Sequence, residues 1–315
     1  MRNSNYVFGL LVTALAATFS ACGSSGRELD TPTSGHIKIS VDETFEPIFK
    51  SEVHTFESLY KYAKIDAAYK PEGQVVQDLL NDTIRFAVLT RHLTDKEKEQ
   101  LASQKLTPRE TKIAVDGIAL VVHKENTDTT LTLDQVRNIF TGKVTNWRQL
   151  DPAAAAGEIT IVFDNSNSST SRFLTDSITG NQPLPANVYA SKSNSNLIDY
   201  VSQNRNAIGV IGVNWISDRD DSTATNFLKK IKVVGISTSS NPASVDDYIQ
   251  PYQAYLHQGT YPLLREVFII SKEARSGLGT GFASFITGDK GQRIILKSGL
   301  VPASMPVRII GLRPE

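Results

Sequence analysis

The stretch Asp116-Gly-Ile-Ala-Leu-Val-Val-His123 is almost continuously apolar. Such runs are typical of strands that are buried on both faces. Its length allows the chain to leave one sheet and enter another, so we predict two lobes with a return crossing near residues 259–262. The first lobe would be discontinuous in sequence, with residues 36–115 plus 262–315, and residues 116–261 would form the second.

Further short β-rich runs alternate with helical patterns along the chain. Capping boxes at Thr94–Glu97 and Thr132–Gln135 mark two helix starts. Alternating strands and helices predict an α/β fold with mostly parallel sheets. The other predicted strands are residues 36–41, 65–69, 85–89, 159–163, 207–213, 232–236 and 266–271.

Composition excludes several classes of protein. The 315 residues carry 33 Lys+Arg and 33 Asp+Glu, and this balance gives no support for a nucleic-acid partner. The single cysteine excludes an intrachain disulfide and a multi-cysteine metal cluster. A hydrolase built on Ser168, a histidine and Asp164 is the enzyme alternative, but the chain has neither a GxSxG elbow nor HExxH spacing. We therefore expect no catalytic residues, no cofactor and no metal.

The N-terminus has the pattern of an export signal. Arg2 precedes an apolar run over residues 6–19, and Ser20 and Ala21 then lead to Cys22. The run is shorter than the roughly 20 residues of a membrane span. The ending resembles a bacterial lipobox, which implies a signal peptide over residues 1–21, lipidation of Cys22 and a flexible tether over residues 22–35. The protein would then be anchored to the cell membrane, facing the periplasm or extracytoplasmic space. An ordinary secretory signal with a chance cysteine is the alternative.

Several motifs occur in one order along the chain and carry a resemblance. Together with the stretch that begins at Asp116, they resemble the phosphate-specific substrate-binding proteins of bacterial ABC transporters, a branch of the class II periplasmic binding fold. The motifs are Ile139-Phe-Thr-Gly-Lys-Val-Thr-Asn-Trp147, Ala207-Ile-Gly-Val-Ile-Gly-Val213, Tyr261-Pro-Leu-Leu-Arg265, and Gly288-Asp-Lys-Gly-Gln-Arg293 followed by Ser298-Gly-Leu-Val-Pro302.

The resemblance implies a type II two-lobed fold with a hinge. It also implies inorganic phosphate bound between the lobes, delivery to an ABC-transporter permease, and a monomer that docks on this permease. These motifs specify the fold and do not fix the ligand.

The resemblance also implies which residues hold the anion. Thr44 would offer its hydroxyl and Phe45 its backbone N–H from the turn before the first helix, although Thr44 as a plain helix cap is the alternative. Ser168, Ser169 and Thr170 stand where the family has Ser-Gly-Thr at a helix start. Helix N-termini and hydroxyl groups bind oxyanions because they present N–H and O–H donors.

The charged positions depart from the family pattern. Glu72 stands at a serine position, Thr90 and Arg91 stand near a position where other members have an aspartate, and Asp164 replaces an arginine. We expect Arg91 to clamp the anion, with a salt bridge away from the ligand as the alternative. Arg172 would compensate for the lost arginine, or Asp164 and Arg91 would pair across the cleft. Thr90 would lie beside Arg91 in the site, and Asp164 and Glu72 would accept the proton of HPO₄²⁻ and so reject sulfate. Sulfate or another oxyanion therefore stays an alternative ligand, as does a surface or sensor lipoprotein that has lost its ligand.

Overall fold

The structure is a computed structural model that describes residues 30–152, 154, 157–218, 220 and 222–307. The predicted signal peptide and Cys22 lie outside these residues. Its strands are β1 (Ser34–Asp42), β2 (Tyr62–Lys70), β3 (Phe86–Leu89), β4 (Arg109–His123), β5 (Thr130–Thr132), β6 (Thr160–Phe163), β7 (Val188–Ala190), β8 (Ala207–Gly212), β9 (Ile231–Val233), β10 (Gly235–Ser237), β11 (Leu264–Ser271) and β12 (Val301–Pro302).

The helices alternate with these strands. They are α1 (Glu46–Leu59), α2 (Glu72–Leu80), α3 (Asp95–Ser103), α4 (Leu133–Phe140), α5 (Ser169–Ser177), α6 (Asn194–Gln203), α7 (Asn214–Ser217), α8 (Ser222–Leu228), α9 (Gln253–Gln258), α10 (Leu278–Thr287) and α11 (Asp289–Lys297). Short 3-10 turns lie at Glu43–Phe45, Trp147–Gln149 and Val245–Asp247.

Local sequence signals explain where several elements begin and end. Both predicted capping boxes are formed, at Thr94 before α3 and at Thr132 before α4. Gly142 follows α4 with a φ of 74°, a left-handed conformation that favours glycine, and the chain then reaches the fully buried Trp147.

The main sheet has the strand order β2-β1-β3-β11-β4-β8-β6-β7. The predicted parallel pairing holds in the outer parts, where β1 pairs with β2 and β3, and β6 pairs with β7 and β8. The strands in the middle, β11 and β4, pair antiparallel with their neighbours. The predicted strand over residues 232–236 is in fact two strands, because β9 joins β4 whereas β10 joins β5 in a separate small sheet.

The buried apolar side chains form separate cores in two lobes. One core draws on residues 118–263 and also includes Val301. The other cores draw on residues 39–114 and 267–300. Strand β4 runs through both, because its first part pairs with β11 and its last part pairs with β8. This arrangement confirms the two-lobed α/β fold. Below, the first lobe means residues 39–114 and 267–300 and the second lobe means residues 118–263.

Residues 30–35 make defined contacts with the folded body, although Asp30, Pro32 and Thr33 are exposed, and this corrects the end of the predicted tether. Strand β1 already begins at Ser34, and the Asp30 carboxylate accepts the backbone N–H of Leu278 at 2.8 Å. The backbone of Pro32 lies so close to Gly281 that a Cβ on that glycine would overlap it. Within the described residues, no helix combines the length and the apolar character needed to cross a membrane.

Candidate functional site

Thr44 lies where the two lobes meet. Its 3-10 turn is capped by Asp42, whose carboxylate accepts the Thr44 N–H at 3.0 Å, and no side chain caps α1. The Thr44 hydroxyl is fully buried and lies 3.3 Å from the Ser169 hydroxyl of the second lobe. The alternative of Thr44 as a plain helix cap is therefore wrong. Phe45 is also buried in this turn.

The three hydroxyl residues at the start of α5 form the opposite wall. Ser168 caps the helix by accepting the Ser171 N–H, and its hydroxyl lies 2.8 Å from that of Thr170. Ser168, Ser169 and Thr170 are almost fully buried. Because Ser169 and Thr170 occupy the first turn of a nine-residue helix, their N–H groups lie at the positive end of its dipole.

We call the hydroxyl groups of Thr44, Ser168, Ser169 and Thr170 the cradle. Arg265, a buried arginine that we did not predict as a site residue, reaches this cradle. Arg265 donates to Asp116 Oδ2 at 2.9 Å and to the Ser169 hydroxyl at 2.7 Å. Its guanidinium lies 5.3 Å from the centre of the Phe45 ring. The third nitrogen, Nη2, is buried and has no hydrogen-bond partner among the described residues. Arg265 thus holds a free donor beside the hydroxyl groups of both lobes.

A second set of contacts joins the lobes through Glu72. Its Oε1 accepts the N–H and the hydroxyl of Thr90, both at 2.7 Å, and its Oε2 accepts Arg172 Nε at 2.5 Å. Arg172 Nη2 also donates to the Thr90 hydroxyl at 2.8 Å. Burial alone would raise the pKa of Glu72, but Arg172 and Thr90 hold it below the ordinary value. An ionised carboxylate therefore crosses the cleft to the second lobe.

The remaining predicted residues, Arg91 and Asp164, differ in whether they reach the cradle. Arg91 makes a two-pronged ion pair with Glu97 of its own lobe, with both N–O distances at 2.8 Å, so the structure does not bring it to the cradle or to Asp164. Asp164 is fully buried and accepts the Thr170 hydroxyl at 3.0 Å. The structure thus places the predicted residues Thr44, Phe45, Asp164, Ser168, Ser169 and Thr170 around the junction of the lobes, and it pairs Thr90 with Arg172 in the separate contacts of Glu72.

Burial determines the charge state of the carboxyl groups around the cradle. It raises the pKa of Asp42 to about 7, and the nearby negative charge of Glu72 adds to the effect. Burial also raises the pKa of Asp164. Because the pKa of Asp42 is close to neutral pH, this carboxyl can take up or release a proton there. Asp42 can therefore share a proton with an anion that itself carries one.

Sequence reasoning missed Arg265, Asp116 and Asp42 as site residues. The local signal was limited, because Asp116 and Arg265 each interrupt a largely apolar stretch of strand, whereas Asp42 ends a strand of mixed composition. Arg265 and Asp116 are register partners on β11 and β4, so the sheet itself places them together. Among the described residues, no group of three or more His, Cys, Asp or Glu side chains is placed to hold a metal ion.

Comparison with known proteins identifies the fold family. The family model of the PBP superfamily domain matches residues 27–290, which is most of the chain. The chain belongs to the PBP superfamily. This agrees with the two lobes and with a cleft lined by both.

The individual proteins that are similar to this PBP-superfamily chain share about a quarter of its residues or fewer. The phosphate-binding protein PstS of Staphylococcus aureus strain USA300 is 27% identical over 288 residues, covering 89% of this chain and 83% of the relative. A Clostridium perfringens substrate-binding protein with bound phosphate has a TM-score of 0.71 at 24% identity, covering 85% of this chain and 100% of that one. An ABC-type phosphate transport receptor from Vibrio cholerae has a TM-score of 0.63 at 20% identity, with the same coverage.

Proposed function

We propose that the protein binds inorganic phosphate between its lobes and delivers it to an ABC-transporter permease. One observation carries the proposal. The Thr44 hydroxyl of the first lobe and the Ser169 hydroxyl of the second meet at 3.3 Å, and the unpaired Nη2 belongs to the same guanidinium that bonds Ser169. Hydroxyl groups, helix N–H groups and one arginine are the donors that a buried tetrahedral anion needs. The similarity to PstS proteins supports phosphate as the anion.

The rest of the proposal concerns the cellular setting. The lipobox-like ending at Cys22 supports a lipid anchor on the extracytoplasmic face of the membrane. A docking role on a permease supports a monomer without catalytic activity. The predicted domain boundaries near residues 116 and 262 are close to the Asp116–Arg265 pair, where β4 and β11 pair, and this supports a hinge there. Closure about such a hinge would bring the two walls of the cradle together.

Calorimetry tests the proposal directly. The full chain, purified in mild detergent and stripped of ligand by unfolding and refolding, is titrated with phosphate and then with sulfate. We expect heat from phosphate and none from sulfate, because sulfate carries no proton for Asp42 or Asp164 to accept at neutral pH. Binding of sulfate alone would move the function to another oxyanion.

A second candidate function is favoured by Glu72. Its carboxylate already occupies the Thr90 and Arg172 donors that face the cleft. A cleft filled by its own anion is expected of a sensor or surface lipoprotein that has lost its ligand. The absence of binding heat with both phosphate and sulfate in the same titration would favour this second function.

A further inference from the structure

A pocket of about 580 Å³ lies between the lobes, and its volume is typical of small-molecule sites. We call it the α7–α11 pocket, because the last residues of these two helices border it. Both lobes line it, since Ile216 and Ser217 belong to the second lobe whereas Leu296, Lys297 and Gly299 belong to the first. No residue of the cradle lines it, so the pocket is a site separate from the proposed phosphate site.

Apolar side chains form part of the wall of this pocket. Tyr252 and Leu228 remain 54% and 39% exposed there, so the pocket presents apolar surface to solvent. A ligand with a ring would remove this surface from water and can pack on the Tyr252 ring. The apolar residues of the wall are Ile216, Leu228, Val233, Pro251, Tyr252 and Leu296.

The charged side chains of the pocket are two lysines. Lys232 Nζ donates to the carbonyl of Asn126 at 3.1 Å, which leaves its other N–H donors and its charge available. Lys297 Nζ lies 3.5 Å from Asp220 Oδ2, and these side chains are 61% and 79% exposed, so their ion pair contributes little. Among the described residues, no Asp or Glu lines the pocket. The pocket therefore favours a negatively charged ligand.

An apolar wall with two lysines and no carboxylate matches an organic anion. We propose that the α7–α11 pocket binds a small aromatic carboxylate, with its ring against Tyr252 and Leu228 and its carboxylate beside Lys232 and Lys297. The ring buries apolar surface, and the carboxylate accepts charge-assisted hydrogen bonds.

The short helix α7 connects this pocket to the cradle. Asn214 Nδ2 and Trp215 Nε1, in its first turn, donate to the Thr44 carbonyl at 2.8 and 2.7 Å. Its last residues line the pocket, where the lobes also touch, because a Cβ on Gly299 would lie 2.3 Å from the Ser217 Cβ. A ligand that fits the pocket while the lobes are together favours closed lobes. It should therefore strengthen phosphate binding, a coupling that rests on the proposed phosphate function.

Calorimetry with matched probes tests the site on the full chain in mild detergent, after subtraction of a titration into detergent alone. The probes are 2-naphthoate and 2-naphthamide, which share a ring system and differ mainly in charge. We expect 2-naphthoate to bind about tenfold more tightly, the gain of one charge-assisted hydrogen bond at an exposed lysine. Equal affinities, or no binding heat from 2-naphthoate, would overturn the inference.

The double variant Lys232→Gln/Lys297→Gln locates the binding. We expect it to lose the preference for 2-naphthoate, with 2-naphthamide affinity within twofold of the parent. Lys96→Gln/Lys290→Gln is the matched control, because it removes two exposed positive charges that do not line the pocket, and it should keep the tenfold preference. A preference that survives in the first variant would overturn the inference.

Phosphate titrations test the coupling. Saturating 2-naphthoate should raise phosphate affinity at least about fivefold, and phosphate should raise 2-naphthoate affinity by the same factor. An unchanged phosphate affinity would overturn the coupling to the cradle. No phosphate binding with or without 2-naphthoate would overturn the proposed phosphate function, whereas the comparison of the two naphthalene probes would still decide whether the α7–α11 pocket is a site.

Discussion

Arg172 of the second lobe donates from Nε to Glu72 Oε2 of the first lobe at 2.5 Å, so one ion pair joins the two walls of the cleft. The Glu72 side chain is 3% exposed, and its carboxylate accepts the donors that an incoming anion would otherwise use. Glu72 is therefore a fixed internal anion that an oxyanion has to displace or share.

Removal of this carboxylate is the first test. We expect Glu72→Ala to raise phosphate affinity at least tenfold, because it frees the Thr90 and Arg172 donors and removes a like charge. Calorimetry measures the affinity. Glu97→Ala is the matched control, because it breaks the Arg91 ion pair within one lobe and should leave the affinity within twofold. Weaker binding by Glu72→Ala would mean that the ion pair stabilises the closed lobes and does not compete with the ligand.

Arg265 is the expected anion clamp, and Arg91 is not. Arg265→Lys keeps the buried charge beside Asp116 but loses the planar fork, so we expect phosphate affinity to fall about 10- to 100-fold. Arg91→Ala should change the affinity less than twofold. Circular dichroism checks that Arg265→Lys folds, and the double variant Arg265→Gln/Asp116→Asn removes the charge pair without leaving a buried ion. A large loss in Arg91→Ala with none in Arg265→Lys would reverse this assignment.

Adjacent serines on α5 should behave differently. Ser168 caps the helix, so Ser168→Ala should lower the free energy of unfolding by about 1 kcal/mol. Ser169 instead bonds Arg265 and faces Thr44, so Ser169→Ala should weaken phosphate binding about fivefold, the equivalent of about 1 kcal/mol. Urea unfolding and calorimetry on both variants measure the two effects. An unstable Ser169→Ala with intact binding would contradict the assignment.

The fold was predictable because its signals are local. Apolar runs marked the strands, and the capping boxes at Thr94 and Thr132 marked two helix starts. The hydroxyl residues of the cradle were also predictable, because the resemblance fixed their place after known strands. The antiparallel pairing of β4 and β11 was not predicted, because it depends on how the lobes connect and not on periodicity.

The charge pairs could not be read from the sequence. Arg265 and Asp116 are separated by most of the second lobe, and only the register of β11 on β4 brings them together. Arg91 and Arg172 looked equally able to reach the cleft, and the choice between them depends on partners. Arg91 meets Glu97 at the start of α3, whereas Arg172 meets Glu72 across the cleft. The partner of a long charged side chain depends on the three-dimensional arrangement of the elements around it, which the sequence alone does not show.

Glu52 should make stability depend on pH. It is fully buried in α1, neither carboxylate oxygen has a partner among the described residues, and burial raises its pKa to about 9 from 4.5. A carboxyl group with a raised folded pKa stabilises the fold at low pH, and this contribution is lost as pH rises from about 4.5 through about 9, by about 1.4 kcal/mol per pH unit.

We therefore expect Glu52→Gln to increase the free energy of unfolding at pH 7 by about 1–3 kcal/mol and to flatten its fall toward pH 9. Urea unfolding at pH 5, 7 and 8.5 measures this, with Glu99→Gln as the exposed control. An equal pH dependence in Glu52→Gln and the parent would show that Glu52 has a partner when folded.

Gly212 sets how closely the lobes approach. A Cβ on this residue of β8 would lie 2.5 Å from Thr44 Cγ2 in the first lobe and 2.8 Å from Asn214 Oδ1. Gly212→Ala should therefore hold Thr44 away from Ser169 and weaken phosphate binding at least tenfold, because the cradle needs hydroxyls from both walls. Small-angle X-ray scattering with saturating phosphate should show a larger radius of gyration than in the parent. Gly73→Ala, where a Cβ meets nothing within 4 Å, is the matched control and should bind like the parent. Parent-like affinity in Gly212→Ala would mean that ligand binding does not require the Thr44–Ser169 approach.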